Sequence, residues 1–256
     1  MKKMLFYVAA LAVALTSCTN DAEVEPGLAT INLSITSDND MTVHTRAPQK
    51  AENSVWYAQV GGENQIHVSE LVGKTYQPGR KTIKVSSHTN LDAALQANDG
   101  AGEAYYEASQ DVNLEAGVNN ISFSCGTAKN SKVSVDWSET NGVSGLSMTN
   151  VVATQNGRTA YTYSTSGTSA FFKTEADIIC TINYNYNGSN KSISKTIEAP
   201  VEATEYKLMI KANTNGSITT ITISYEDAFK DGGTTSVTID AATGAETSAA
   251  TGAEAA

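Results

Sequence analysis

Apolar and polar residues alternate along most of this chain. Residues 29–36 read Ala-Thr-Ile-Asn-Leu-Ser-Ile-Thr, with every second residue apolar, which is typical of a β-strand that buries one face. The same period of two predicts strands at residues 55–60, 81–86, 112–114, 119–125, 133–137, 159–163, 178–186, 192–197, 206–212 and 217–225, with a short one at 235–239. The pattern therefore predicts a protein built mainly from short strands.

Turn signals and one short helix interrupt this pattern. Asn156-Gly157 and Asn187-Gly188 each lie between two alternating runs, and Asn-Gly is the strongest short hairpin signal. Residues 89–97 are the one helical candidate, because Thr89 or Asn90 can serve as the N-cap before apolar residues spaced three and four apart.

The spacing of strands and turns indicates the fold class. Strands this short, with turns about every 8–12 residues, favour antiparallel sandwiches over a parallel α/β sheet. We therefore predict an all-β fold with two tandem β-sandwich domains, at residues 28–127 and 128–232, which 256 residues are enough to build. Residues 233–256 form a tail that from residue 241 repeats Ala-Ala-Thr-Gly-Ala-Glu and is expected to be disordered.

The N-terminus has the features of an export signal. Lys2 and Lys3 precede an almost wholly apolar run at residues 4–15, which is shorter than the ~20 residues needed to span a bilayer. The run ends in Leu15-Thr16-Ser17-Cys18, and this Leu-x-Ser-Cys ending resembles a bacterial lipobox. The resemblance implies a signal peptide at residues 1–17, lipidation of Cys18 and a polar tether at 18–27. An ordinary signal peptide with a chance cysteine is the alternative.

Charge limits the partners of the protein. Its formal net charge is −10, whereas affinity for nucleic acid comes from Lys and Arg residues that neutralise phosphates. We therefore expect no nucleic-acid partner, and contact with the membrane through the lipid anchor. The acidic tether residues Asp21, Glu23 and Glu25 resemble the signal that sends some lipoproteins to the outer surface. The expected location is the outer membrane, with the protein exposed at the cell surface.

Several short motifs occur in an order that resembles a known family. After the lipobox and the first strand come Thr45-Arg46-Ala47, Pro78-Gly79, Ala104-Tyr105-Tyr106-Glu107 and Ile121-Ser122-Phe123-Ser124-Cys125. Over roughly residues 28–227 the chain resembles a family of lipoproteins of gut anaerobes that is classed as a domain of unknown function. That family is similar to the fimbrillin-like subunits of type V pili.

The resemblance implies two transthyretin-like β-sandwich domains in series and a structural role. In fimbrillin-like proteins an arginine-specific protease cuts after the first strand, and a strand of another subunit fills the groove that this opens. The corresponding bond here is Arg46-Ala47, so like subunits or pilus components are candidate partners. By residue type alone, a solvated loop arginine is the favoured interpretation of Arg46.

No residue pattern points to catalysis or to a metal. His44, His67 and His88 are scattered singly, and Asp38 and Asp40 resemble the opening of a calcium loop that lacks its Gly and distal Glu. No nucleophile elbow and no phosphate-binding glycine loop occurs in the sequence. We therefore predict no enzyme activity, no cofactor and no metal site.

Two cysteines remain besides Cys18. Cys125 and Cys180 are either bridged, in an export compartment that permits disulfides, or buried as free thiols. Free thiols are favoured, because the two residues fall in different predicted domains.

Aromatic residues leave a second function open. They fall in or beside the predicted strands, at Trp56-Tyr57, Tyr105-Tyr106, Trp137, Tyr161, Tyr163, Tyr184 and Tyr186. Rings on an outward face could stack on sugars, although cross-strand pairs that only stabilise the sheet are commoner. The first hypothesis is a fimbrillin-like pilus or adhesion component that assembles by strand exchange. The second is a monomeric glycan-binding surface lipoprotein.

Overall fold

The computed structural model describes residues 27–37, 56–215, 218–226, 234–243 and 245–252. Helix α1 spans Leu91–Gln96. The strands in chain order are β1 Ala29–Thr36, β2 Tyr57–Val60, β3 Ile66–His67, β4 Gly79–Ser86, β5 Glu107–Leu114, β6 Gly117–Ser124, β7 Ser131–Asp136, β8 Leu146–Gln155, β9 Arg158–Tyr163, β10 Thr168–Phe172, β11 Ile178–Tyr186, β12 Ser189–Ile197, β13 Glu205–Asn215, β14 Ile218–Glu226, β15 Thr234–Asp240 and β16 Glu246–Gly252. We refer to β1–β6 as the first half and to β7–β16 as the second half.

The first half has two unequal layers. One layer is the antiparallel sheet β3-β2-β4-β5, and the other contains only β1 and β6. Burial alternates along the strands, as in β4, where Ile83 and Val85 are buried and Lys84 is exposed. The core consists of Ala29, Ile31, Ala58, Val60, Leu71, Tyr76, Ile83, Val85, Tyr106, Leu114, Ile121, Phe123, Cys125, Ala128 and Ala203.

The second half is larger and is built from the sheets β10-β7-β13-β14-β15-β16 and β12-β11-β8-β9. Residues from both sheets share one core: Val133, Val135, Trp137, Val151, Ala153, Tyr163, Ala170, Phe172, Ile178, Cys180, Ile182, Tyr184, Ile197, Tyr206, Leu208, Ile210, Ile221, Ile223, Ile239 and Ala241. The predicted all-β fold of tandem β-sandwiches is confirmed.

Both Asn-Gly pairs form the predicted hairpins. Asn156-Gly157 joins β8 to β9 and Asn187-Gly188 joins β11 to β12, each as a two-residue loop. Asn187 has a φ of 50° and Gly188 a φ of 82°. Two left-handed residues in succession are the requirement of a type I′ turn, whose twist matches that of the flanking strands.

Helix α1 forms at the predicted position. Asn90 is its N-cap, with Oδ1 accepting a hydrogen bond from Ala93 N at 2.8 Å. Ala94 and Leu95 are buried. Among the residues that the structure describes, no helix is long and apolar enough to cross a membrane.

Two ladders in the described part of the chain are parallel, a feature that alternation did not predict. β1 pairs with β6, and β7 pairs with β13. Parallel neighbours need a long crossover connection, and here the first strand of each half pairs with a strand far along the chain. Alternation is a local property of one strand and carries no information about so distant a partner.

The alternation pattern also misses three strands inside the sandwiches. The pairing of β8 with β11 passes over Thr149, so β8 contains a β-bulge. Leu146 and Met148 pack on the core before the bulge, and Val151 and Ala153 lie in it afterwards. This change of phase interrupts the alternation, so the pattern does not predict β8. β3 and β10 are missed because they have only two and five residues.

The expectation of a disordered tail is wrong for residues 245–252. Strand β16 pairs antiparallel with β15 and extends the six-stranded sheet. Asp240 holds the turn between them, because its Oδ1 accepts hydrogen bonds from the backbone N–H groups of Ala242 and Thr243, both at 2.8 Å. A sheet edge pairs through backbone groups, so a segment poor in large side chains can still join it.

Candidate functional site: strand β1 and its groove

Strand β1 lies in the thinner layer of the first half. It pairs with β6 in parallel register along its whole length, from Ala29 opposite Gly117 to Thr36 opposite Ser124. Cys125 N extends this ladder by donating to Thr36 O at 2.8 Å. One neighbouring strand therefore holds β1 over all of its eight residues.

The inward face of β1 completes the core. Ala29 and Ile31 are buried, and Leu33 and Ile35 pack against the same cluster with part of their surface exposed. The alternation that predicts β1 from the sequence thus marks the side chains that fill this sandwich. Full burial of an Ile or Leu side chain is worth about 1.5–3 kcal/mol, so release of β1 leaves apolar positions that another strand would gain by filling.

The second edge of β1 is almost unpaired. Ala29 N donates to Tyr76 O at 2.9 Å, and Tyr76 N donates to Ala29 O at 2.8 Å. Within the described part of the chain, this bridge is the only backbone pairing on that edge. β1 is therefore an edge strand, and its departure would break one ladder and leave the four-stranded sheet intact.

Polar side chains beside the ladder fix the register of β1. Asn32 Nδ2 donates to Asn120 Oδ1, and Asn119 Nδ2 donates to Thr30 O, both at 3.2 Å. Asn119 Oδ1 also accepts a hydrogen bond from Glu115 N at 2.9 Å, which fixes the turn before β6. A slip by one residue would break these contacts and turn the apolar face outward.

The predicted site residues Cys18, Arg46 and Ala47 lie outside the described residues. The structure does show what Arg46 separates, since β1 ends at Thr36 and β2 begins at Tyr57. A cut after Arg46 would leave β1 bound to the rest of the chain by non-covalent contacts alone. Lipidation of Cys18 and cleavage at Arg46 stay predictions.

Cys125 and Cys180 are free and buried, which confirms the interpretation as free thiols. Burial raises the pKa of Cys125 to about 11 and the pKa of Cys180 to about 12. The cause is the loss of hydration that a thiolate would suffer in an apolar core. A nucleophilic cysteine needs a lowered pKa, so neither residue fits that role.

The described histidines make local contacts. His67 stacks on Tyr57 with 4.3 Å between the ring centroids, and His88 Nε2 lies 3.1 Å from Glu103 Oε2. No group of three or more metal-ligating side chains occurs in the ranges that the structure describes. The third histidine and the acidic residues at 38 and 40 lie outside those ranges.

Most of the aromatic rings in the described residues are buried. The buried rings are Tyr76, Tyr105, Tyr106, Phe123, Trp137, Tyr163, Phe172, Tyr184 and Tyr206. In the Trp56-Tyr57 pair, Trp56 packs against the first core and Tyr57 stacks on His67. The described sheets therefore use their aromatic residues mainly for internal packing.

A groove of about 480 Å³, lined by both polar and apolar groups, crosses the outward face of strands β2, β4 and β5. Gln59, Lys84 and Ser109 lie directly opposite one another in its floor. At one side, Tyr105 OH donates to Glu107 Oε2 at 2.9 Å, and burial together with this carboxylate raises the pKa of Tyr105 to about 12. Because the Tyr105 ring is buried, the groove offers polar groups rather than an aromatic face.

The chain matches no protein-family model and no curated protein sequence. Among solved structures it is similar to a candidate cell adhesion protein from Bacteroides ovatus, with 12% identity, a TM-score of 0.42, and coverage of 80% of this chain and 98% of that one. A second is a candidate cell adhesion protein from Bacteroides fragilis, with 11% identity, a TM-score of 0.37, and coverage of 65% and 68%. A third is a fimbrial assembly protein from Parabacteroides distasonis, with 10% identity, a TM-score of 0.37, and coverage of 72% and 90%. Every TM-score is below 0.5, so these likenesses carry no argument about function.

Proposed function

We propose that this protein is a surface-exposed structural or adhesive lipoprotein that assembles by exchange of a β-strand. The observation that carries the proposal is the position of β1, an edge strand in a two-stranded layer whose alternating apolar face lies in the core. Loss of such a strand leaves unpaired backbone groups on β6 and vacant side-chain positions above the core. An extended strand from another copy supplies both.

Cleavage after Arg46 is the step that frees β1. In the intact chain β1 fills its own groove, so the subunit stays monomeric. Arg46 lies in the connection between β1 and β2, and an arginine-specific protease acting there separates the strand from the sandwich. The cut is therefore the trigger for assembly.

The C-terminal strands supply a candidate donor. Val237, Ile239 and Ala241 alternate with polar residues as the apolar residues of β1 do, over a shorter run. β15 is seven residues long, and β15 and β16 lie at the end of the six-stranded sheet. Their release would leave the other four strands of that sheet paired.

Lipidation of Cys18 anchors the uncut subunit at the outer membrane. This part of the proposal rests on the Leu15-Thr16-Ser17-Cys18 motif. Cys18 and β1 lie on the same side of Arg46, so the cut that frees the groove also releases the folded part from its anchor.

The mass and oligomeric state of the mature protein, before and after treatment with an arginine-specific protease, test this proposal. We expect a fragment that begins at Ala47 and then forms a ladder of oligomers resistant to mild detergent. Arg46→Lys keeps the positive charge but removes the cleavage site, so that variant should stay intact and monomeric. Arg80→Lys is the matched control at an exposed arginine, and it should be cut and assemble like the unmodified protein.

A chain that is cut at Arg46 and stays monomeric would contradict strand exchange. The groove on β2, β4 and β5 favours the second candidate function, a monomeric glycan-binding lipoprotein. That function predicts retardation of the uncut protein in affinity gels that contain polysaccharide, and loss of the retardation in Lys84→Ala.

A further inference from the structure

A loop of the first half reaches across to the second half. This latch loop, residues 97–102, contains four residues with positive φ: Asn98 at 48°, Asp99 at 56°, Gly100 at 84° and Gly102 at 81°. Glycine, Asn and Asp are the residues that adopt this left-handed backbone most readily, so the local sequence favours the tight turn of the loop. Residues of β9 and β10 in the second half contact it.

Two carbonyl groups of the latch loop accept hydrogen bonds from the second half. Phe171 N donates to Ala101 O, and Arg158 Nη2 donates to Gly100 O, both at 2.7 Å. An ion pair lies beside them, with Lys173 Nζ 2.7 Å from Asp92 Oδ1 on α1. The helix and the loop that follows it are thus both bound to the second half.

Arg158 is held in place for its part in this contact. Its guanidinium carbon lies 4.3 Å from the centroid of the Phe172 ring and 5.9 Å from that of Tyr161. Nη1 donates to Thr159 O at 3.0 Å, so two carbonyls and a ring surround the group. A charged donor on a carbonyl makes a stronger hydrogen bond than a neutral one, and the ring face adds a cation–π attraction.

Gly102 allows the close approach of the two halves. A Cβ at this position would lie 3.2 Å from Leu95 Cα on α1 and 3.2 Å from Phe171 Cβ on β10. Such distances are tighter than an ordinary van der Waals contact. The loop is therefore packed against the second half as closely as a protein core is.

A second set of contacts joins the halves at the connection between β6 and β7. The Asn130 side chain is buried, accepts a hydrogen bond from Tyr105 N at 3.1 Å and donates one to Glu103 O at 2.7 Å. Asn130 O accepts a hydrogen bond from Ala203 N at 3.0 Å, and Ala203 packs into the core of the first half. A hinge motion would have to break these contacts as well as the latch loop.

We infer that the two halves move and unfold as one body, held together by the contacts of the latch loop and Arg158. Tandem domains with a small interface move relative to each other by default. Here backbone hydrogen bonds, a stacked cation and an ion pair oppose that motion. The inference does not depend on strand exchange.

The two tryptophans provide one probe for each half. Trp56 packs against the first core and Trp137 lies in the second. Urea unfolding of the full chain is followed by fluorescence in Trp137→Phe, which reports on the first half, and in Trp56→Phe, which reports on the second. Because each Trp→Phe substitution also changes stability, the comparison is made within each variant. The midpoint from its tryptophan fluorescence should equal the midpoint from its circular dichroism, which reports on both halves.

Weakening the contacts of the latch loop should allow the two halves to unfold at different urea concentrations. Arg158→Ala, added to each single-tryptophan background, should separate the two midpoints by about 0.5 M urea or more, and Gly102→Ala should do so from the other side of the contact. Arg80→Ala, which removes an exposed ion pair, is the matched control and should leave them coincident. Different fluorescence and circular dichroism midpoints in a single-tryptophan variant without a latch substitution would overturn the inference. Equal midpoints in both the Arg158→Ala and the Gly102→Ala variants would also overturn it.

Hydrogen exchange gives a readout that needs no substitution. The Phe171 N–H, which donates to the latch loop, should exchange as slowly as the amides of the β7–β13 ladder, since opening it requires global unfolding. Exchange at the rate of a freely exposed amide would show that the halves separate in the native state.

Discussion

Single buried side chains carry much of the stability of the two sandwiches. Leu208 is wholly buried in the second core, and Ile121, 9% exposed, belongs to the first core beneath β1. Replacing either residue with Ala removes buried methyl groups and leaves a cavity, so the free energy of unfolding should fall by about 2–5 kcal/mol. Urea unfolding measures this. Val118→Ala, at a side chain 61% exposed on the same strand as Ile121, is the control and should change it by at most about 0.5 kcal/mol.

Asp136, the last residue of β7, makes the free energy of unfolding depend on pH. Its pKa is lowered by the backbone N–H of Ser138, with further hydrogen bonds from the Ser138 and Ser166 side chains. A lowered carboxylate pKa stabilises the fold above the unfolded value, about 3.9, and this contribution is lost as the pH falls through the folded value. The gap in unfolding free energy between the unmodified protein and Asp136→Asn should therefore shrink from pH 7 to pH 3. A gap that stays constant across this range would contradict the assignment.

At the scale of the element, the β11–β12 hairpin shows what one turn residue contributes. Gly188 has a φ of +82°, and a Cβ added there would have no heavy atom within 4 Å, so Gly188→Ala meets no clash but must adopt a left-handed conformation. This should lower the free energy of unfolding by about 1–2 kcal/mol, measured by thermal or urea unfolding. Gly62→Ala is the control, because Gly62 has an ordinary φ and equally open surroundings. Equal effects at the two glycines would show that the turn type is not responsible.

Most elements could be predicted from the sequence because their periodicity is local. β1, β11 and β13 alternate without interruption, and each forms where the pattern places it. β8 could not be predicted, because the bulge at Thr149 changes the phase of its inward residues. β16 could not be predicted either, because its backbone pairs with β15 and the pairing needs no apolar pattern of its own.

On the scale of the whole molecule, β1 is held by one ladder, whereas several kinds of contact join the two halves. β1 has one ladder and a single bridge on its other edge. The latch loop binds the second half through Arg158 and Phe171. The proposed exchange of β1 would therefore leave the contacts between the halves in place.

The sequence by itself determined the all-β class, the two hairpins, a helix α1 that begins after Thr89 or Asn90, and the inward face of β1. Each depends on neighbouring residues, through the period of the side chains or the conformation that a turn demands. Only the tertiary structure decided that β1 pairs in parallel with β6, that β16 joins the sheet and that Arg158 fastens the two halves. These contacts join residues far apart in the chain, and their free energy depends on burial and geometry that no local pattern encodes.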